Sequence, residues 1–457
     1  MSRMLPVLLA TGSWIAAAPP TTQSTAGPSS LPAVRLVANI DVKDFGAETL
    51  RIGDLDADGE PDLLLVQSVY GSREITCLTA LTMRGDILWQ TGRASADNGR
   101  IYSDLPVQIY DWDADGHNEV LYVRQARYVS PVWDGKSPRE RADKYEGHAA
   151  MVVLDGASGR ETSRFDLPAP ADDCFLLADL TGRGRRQDLV VKDRYWNMWG
   201  VSHAGEVLWH YAGSVGHFPA IADVDGDGRD EVFVGFALVD DDGRVLFQHD
   251  PAGAHQDACW ILRAPDGSWR LLFGNGGLHC LAADGTEQWH QGLGEAQHVV
   301  AGRFRPDSPV QLAVVDRTPM PHHRDDKAWG ILYLYDLQGR EIWRRQQEPG
   351  AWAIAIEPVC WSGPAEPDSI LVYNRGTGRP VMLYDGQGEI THTLPMEYAP
   401  NRTEADRRDH YYATAADVWG DCRDEILIFG PRGLCIYANT RPLLLPTLYN
   451  ETLYPGM

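Results

Sequence analysis

The segment Asp223-Val224-Asp225-Gly226-Asp227-Gly228-Arg229-Asp230-Glu231, with FPAIADV before it and EVFVGF after it, constrains the fold more than any other stretch. It reads as a short apolar strand, an acidic loop and a second strand. The same unit recurs as IGDLDADGEPDLLLV from Ile52 and IYDWDADGHNEVLYV from Ile109. Eroded copies follow as LADLTGRGRRQDLVV from Leu177 and AADVWGDCRDEILIF from Ala415. Such self-similarity marks a repeat protein and overrides the several domains that 457 residues would otherwise suggest.

A second signal repeats in step with the first. LTMRGDILWQ (81–90), VSHAGEVLWH (201–210), LAADGTEQWH (281–290) and LYDLQGREIWR (334–344) each place a Gly-containing turn between two alternating strands, a hairpin pattern. The Trp that ends each hairpin is expected to pack between neighbouring sheets. Each unit therefore holds four short strands, and first strands are expected near residues 49, 106, 174, 218, 257, 298, 353 and 412. No helix-period segment separates them. Units that cannot bury their faces alone, set radially, predict an all-β fold: a β-propeller of eight four-stranded antiparallel blades with DxDxDG loops. Seven blades stay open as an alternative, because the copies near 257 and 353 are weak. The run LPAVRLVANIDV (31–42) has no acidic loop and is placed to supply the outer strand of the last, short unit, closing the ring.

Arg3, the apolar run PVLLATGSWIAAA and the small residues Ala16–Ala18 predict a secretory signal peptide over 1–18. Residues 19–30 are a Pro/Ser/Thr spacer and 31–457 a single propeller domain. The expected location is secreted or periplasmic, and no later stretch approaches a membrane span. A net charge of −23 argues against nucleic acid or an anionic membrane as partner. Seven Cys without a CxxC pair rule out a dense disulfide scaffold, though Cys259 with Cys280, or Cys422 with Cys435, are candidates to pair across neighbouring strands.

In DxDxDGxx(D/E) the side chains at positions 1, 3, 5 and 9 converge, and hard oxygen ligands at that spacing suit Ca²⁺. Three loops are complete: Asp54/Asp56/Asp58/Asp62, Asp111/Asp113/Asp115/Glu119 and Asp223/Asp225/Asp227/Glu231. The loop at Asp179, with Thr181 and Arg183, and the loop at Asp417, with Trp419, are doubtful. Ca²⁺ here is expected to staple loops rather than to catalyse.

The chemistry is expected at the opposite end. Connections from second to third strands, and those leading into first strands, emerge together in a propeller. Three of them are expanded: 124–147, 317–327 and 396–410. Loops on a rigid scaffold are where function concentrates. His217, His255, His298 and His410 each precede or open a first strand, His410 followed by Tyr411. The loops after second strands carry Tyr70, Arg127-Tyr128, Lys192-Asp193-Arg194-Tyr195, Asn275, Arg317, His322-His323 and Asn374-Arg375, with His148 closing the long loop of unit two. Taken singly, each is more often a solvated or structural residue. Together they outline a cationic, aromatic-lined cup on an acidic protein, suited to an anionic sugar.

The span AIADVDGDGRDEVFVGFALVDDDGRVLF…GAHQDACWIL, the run GLGEAQHVVAGRF, and the tail motifs ADVWGDCRDEILI and IYANTRP resemble the catalytic propeller of family 11 rhamnogalacturonan lyases. The likeness covers roughly residues 215–315 and 410–442. The acidic loops also resemble FG-GAP-like calcium-binding repeats. The shorter chain suits the compact rhamnose–glucuronate lyases that act on ulvan or gum arabic. This resemblance implies a carbon–oxygen lyase that makes an unsaturated uronate by β-elimination, with an acidic plant or algal polysaccharide as partner and a monomeric state. It implies Arg194 as carboxylate clamp, His148 or His217 as base and Tyr195 as acid. His255 and His298 would bind substrate or a second, catalytic Ca²⁺. The main rival is a non-enzymatic adhesion propeller, since integrin-like repeats carry similar loops. A quinone-dependent dehydrogenase, suggested by the GxxxW hairpins and eight blades, is disfavoured because this chain has no adjacent Cys pair and the Asp loops would go unexplained. A glycoside hydrolase would need two carboxylates across the funnel, for which Asp104, Asp173 and Asp257 are available.

Overall fold

The computed structural model describes residues 34–70, 72–101, 104–125, 127–129, 144–146, 148–251, 256–274, 276–317, 329–351, 354–375, 379–398 and 411–442. No helix occurs among them. Eight four-stranded antiparallel sheets form the blades of a propeller. Their first strands are Thr49–Gly53, Val107–Tyr110, Phe175–Ala178, Ala220–Ala222, Ala258–Arg263, Ala296–Gly302, Ile354–Val359 and Tyr412–Ala416, for blades 1 to 8 in order. First strands of successive blades touch between blades 1 and 2 and from blade 4 through blade 8, so they form the inner wall. The weak copies in blades 5 and 7 are complete sheets, and the count is eight.

Closure follows the sequence expectation. Val34–Ile40 pairs antiparallel with Gly433–Asn439 as the outer strand of blade 8, with Val34 opposite Asn439 and Ile40 opposite Leu434. In blade 2 the second strand Glu119–Arg124 pairs directly with the third, Ala149–Asp155. From the long connection between them a two-stranded hairpin, Arg127–Val129 with Lys144–Glu146, stands apart from the blade.

Second strands are the driest elements. Asp62–Ser68 is buried throughout, and its Leu64 and Val66 pack with Val107, Val120 and Val152 of blade 2. Each such aliphatic side chain contributes about 1.5–3 kcal/mol on burial. Outer strands alternate instead, as in Val207–Ala212, where Trp209 and Tyr211 point inward.

Two polar devices join blade to blade. At the rim, the hairpin Trp donates its indole N–H to a turn carbonyl of the next blade. Trp89 reaches Gly156 and Trp209 reaches Asp241 at 2.6 Å, while Trp289 reaches Leu337 and Trp343 reaches Gly386 at 3.0 Å. The receiving turns need glycine: a Cβ at Gly243 (φ +84) would collide with Trp209. Nearer the axis, the residue preceding a second strand reaches back to the previous blade. Asp230, Asp368 and Asp424 each accept a backbone N–H, from Asp179, Arg303 and Cys360, and return their own N–H to that residue's carbonyl. For Asp230 and Asp424 the sequence pattern contains this residue, but reads it as part of the acidic loop.

The seven cysteines are free thiols. Cys259 lies opposite Phe273, and Cys280 opposite Leu272, so a whole strand separates them. Cys422 sits in the acidic loop of blade 8 while Cys435 is in the third strand, so neither suggested pairing forms.

Candidate active site

The two ends of the propeller carry different chemistry. At the end where first strands turn into second strands, ligand-type oxygens of Asp54/Asp56/Asp58, Asp111/Asp113/Asp115 and Asp223/Asp225/Glu231 gather within 4.8 Å of one another. Asp62 and Glu119 stay outside their clusters, as does Asp227. Asp62 Oδ2 and Glu119 Oε2 instead accept the backbone N–H of Leu55 and Trp112. Glu231 does both. Its Oε2 accepts Val224 N at 2.5 Å, while its buried Oε1 has no partner among the described residues. The buried Oδ1 atoms of Asp54 and Asp111 are likewise unpartnered. Burial first, with acidic neighbours adding, pushes the Glu231 carboxyl up to about 7. Buried, unpaired oxygens converging on one point fit a hard divalent cation. In the eroded loop of blade 3 the corresponding carboxylate oxygen is occupied instead: Asp188 Oδ2 accepts Leu180 N, Thr181 N and Thr181 Oγ1.

At the other end, connections between strands bring an ion cluster together. Arg73 comes from the connection after the second strand of blade 1, and Asp172 and Asp173 from the lead-in to blade 3. Arg73 Nη1 pairs closely with Asp172 and lies 3.2 Å from Asp173 Oδ1. Arg194 Nη1 is 3.2 Å from Asp172 Oδ2, and Lys192 Nζ is 3.8 Å from Asp173 Oδ2. His217, leading into blade 4, sets its Nδ1 2.9 Å from Asp173 Oδ2, with its Nε2 3.9 Å from Asp257 Oδ1 of blade 5. Burial alone would raise Asp173, but Lys192, His217 and Arg73 hold its carboxyl well below the usual range. Arg73 (φ 57), Ala171 (φ 54) and Asp173 (φ 70) all occupy the left-handed region. Strained non-glycine backbone of this kind clusters at functional sites.

The tyrosine next to Arg194 completes this side. Tyr195 meets the His217 ring edge-on at 5.2 Å between centroids, and the Arg194 guanidinium lies 5.1 Å from the Tyr195 ring centre. On the blade 6 and 7 side stand His298, Arg317 and Arg375. Burial, then Arg375, Arg317 and His217, pushes the His298 imidazole down to about 3, so it is neutral across the physiological range. The buried Nε of Arg375 has no hydrogen-bond partner among the described residues.

The remaining sequence candidates distribute as follows. Tyr70 is exposed on the blade 1 loop, and His148 is exposed beside the long loop of blade 2. Lys192 is 1% exposed, with Nζ also donating to the carbonyls of Asp193 and Arg194, so it lies beneath the cup rather than on its surface. Arg194 is buried too, committed to Asp172. Asn374 Nδ2 donates to Gly350 O, and buried Tyr411 donates to Arg379 O, which directs both into the scaffold. His255, Asn275, His322, His323 and His410 lie outside the described residues, as do the side chains of Arg127 and Tyr128. Arg73 and Asp172 were missed, and Asp173 and Asp257 were considered only as hydrolase carboxylates. The available signal was positional: Glu48, Asp104, Asp173 and Asp257 all lead into first strands.

No protein-family model matches the chain. Among curated proteins, rhamnogalacturonan endolyase YesW and rhamnogalacturonan exolyase YesX, both of Bacillus subtilis strain 168, are each 24% identical over 252 residues, covering 44% of this chain and 40% of theirs. The chain thus matches less than half the length of these relatives. Among solved structures, that of the exotype rhamnogalacturonan lyase YesX aligns with a TM-score of 0.60 at 20% identity, over 87% of this chain and 72% of that one. The V. cholerae biofilm matrix protein Bap1 aligns at 0.54 and 13% identity, over 87% and 88%. The chain is similar in sequence and fold to rhamnogalacturonan lyases, and its fold is shared with a protein whose name points elsewhere.

Proposed function

We propose that the chain is a secreted polysaccharide lyase that cleaves a rhamnose–uronic acid linkage by β-elimination, leaving an unsaturated uronate. The observation that carries this reading is the convergence, at one end of the propeller, of His217 backed by Asp173, Tyr195 against its ring, and Arg317 and Arg375 beside neutral His298. Likeness to the rhamnogalacturonan lyases supports the same class.

The uronate carboxylate docks on Arg375, whose buried Nε has no hydrogen-bond partner among the described residues, with Arg317 beside it. That neutralisation acidifies the C5 proton. His217 Nε2 removes it, the C–H electron pair forms the C4=C5 double bond, the C4–O4 bond breaks, and Tyr195 protonates the departing oxygen. His298, held neutral, accepts hydrogen bonds from the sugar instead of donating an acid proton. Arg194 supports Tyr195 from behind. The acidic loops hold Ca²⁺ at the opposite end, where the cations fasten first strands to second strands. A hydrolase is disfavoured because Asp173 is held ionised and Asp104 is paired with Arg51 at 2.8 Å.

The test is the ultraviolet absorbance of a conjugated uronate on rhamnogalacturonan, gum arabic and ulvan in Ca²⁺ buffer. Wild type is expected to raise it on one of the three and His217→Ala to abolish the rise. New reducing ends without absorbance would replace elimination with hydrolysis. Silence on both counts with retained polymer binding would leave an adhesion propeller.

A further inference from the structure

We propose that Asp173 is a positioning residue that fixes His217 as the Nδ1–H tautomer, with Arg73 and Lys192 serving as its buried counter-ions. What His217 then does rests on the lyase reading above; the tautomer does not. Asp173 is fully buried and ionised, and an ionised carboxylate has no proton to donate. At 2.9 Å the hydrogen between it and His217 must therefore sit on Nδ1, leaving the lone pair of a neutral ring on Nε2, the nitrogen directed toward Asp257.

The counter-ions explain why a carboxylate survives at this depth. Lys192 approaches the same Oδ2 that holds His217, while Arg73 takes Oδ1 and ties Asp173 to Asp172. Arg194 binds the far oxygen of Asp172 and lies against Tyr195, which in turn borders the imidazole. The polar side chains thus form one continuous chain of contacts that ends on the His217 ring. The groups facing His217 are Asp173, Asp257, Tyr195 and His298, with Lys192 and Arg73 behind Asp173. Lys192 and Arg73 thus act through Asp173 and do not touch substrate.

The variant to make is Asp173→Asn, paired with Asp173→Asn/Lys192→Met so that charge balance is kept if the single substitution fails to fold. An asparagine can turn its NH₂ to Nδ1, which moves the ring proton to Nε2 and removes the base. In a comparable carboxylate–histidine pair the same change costs about 10⁴-fold in turnover with geometry retained. We expect kcat to fall by roughly 10³- to 10⁴-fold, KM to stay close to wild type, and Asp173→Glu to recover part of the rate. Nitrogen-15 NMR of imidazole-labelled protein reads the tautomer without any substrate, with the proton expected on Nδ1 in wild type and on Nε2 in the variant. A wild-type spectrum with the proton on Nε2 overturns the proposal, as does a folded variant with wild-type turnover and pH profile. If no polymer is cleaved yet the tautomer switches as described, the positioning role stands and the lyase reading falls.

Discussion

Glu357 offers a test of the inner wall that needs no substrate. It lies midway along the first strand of blade 7, and its Oε2 accepts Thr414 Oγ1 and Ala415 N of blade 8, each at 3.0 Å. Burial, the dominant influence, pushes its carboxyl up to about 7 from an ordinary 4.5, although the two hydrogen bonds pull the other way. The folded chain therefore holds this proton more tightly than the unfolded chain. The favourable contribution is full below pH 4.5 and is lost as pH rises through about 7. A difference of about 2.5 in pKa is worth about 3.4 kcal/mol at 1.36 kcal/mol per unit. Glu357 is only part-buried, and solvent screening brings the figure to about 1–2 kcal/mol. Glu357→Gln keeps shape and an accepting oxygen while removing the charge. Calorimetric melts should show the variant more stable than wild type at pH 8 by that amount and equal to it at pH 4. Equal melting at both pH values, or a variant less stable at pH 8, would refute the reasoning.

Two further outcomes concern the ends of the propeller. Arg375→Met should lower kcat/KM on a uronate polymer by about 10²- to 10³-fold and raise the His298 titration seen by NMR, since Arg375 ranks second to burial in depressing it; an unmoved His298 would place Arg375 outside the site. Chelation should lower the melting temperature, because a cation at about 100 times its dissociation constant adds about 2.7 kcal/mol, and Glu231→Gln should blunt that response; identical melts with and without chelator would remove the cations.

The fold was legible because two signals recur along the chain, the acidic loop and the Gly-turn-Trp hairpin, and most blades carry at least one of them. Even blades 5 and 7, whose loops have decayed, kept the strand alternation that a dry second strand requires. The closing strand was legible for the same reason: Val34–Ile40 alternates and has no loop of its own. The site was only half legible. His217, His298, Tyr195, Arg317 and Arg375 could be placed at one end by counting strands. Which of them face a ligand could not be read, because Lys192 and Arg194 look like surface cations until buried carboxylates are found beside them. Spacing along the chain says nothing of Asp172, whose partner Arg73 belongs to another blade. The Cys259–Cys280 suggestion failed on similar ground, since strand order inside a blade sets the pairing and sequence distance does not.

That Arg73 of blade 1 meets Asp172 and Asp173 of blade 3 has a geometric consequence. The two blades are not neighbours in the ring, and blade 2 lies between them, with its Gln125 touching the Arg73 carbonyl. Loops separated by a whole blade can meet only where the ring is narrowest, close to the axis. The ion cluster therefore lies close to the axis at this end of the propeller. His217 is tied to this cluster through Asp173, with Tyr195 and Asp257 also beside its ring. A charge-dense cluster beside a part-buried histidine is costly to bury and contributes little net stability. Holding one ring nitrogen in place accounts for such a cluster better than holding the blades together does, since the tryptophan and aspartate clasps already join them.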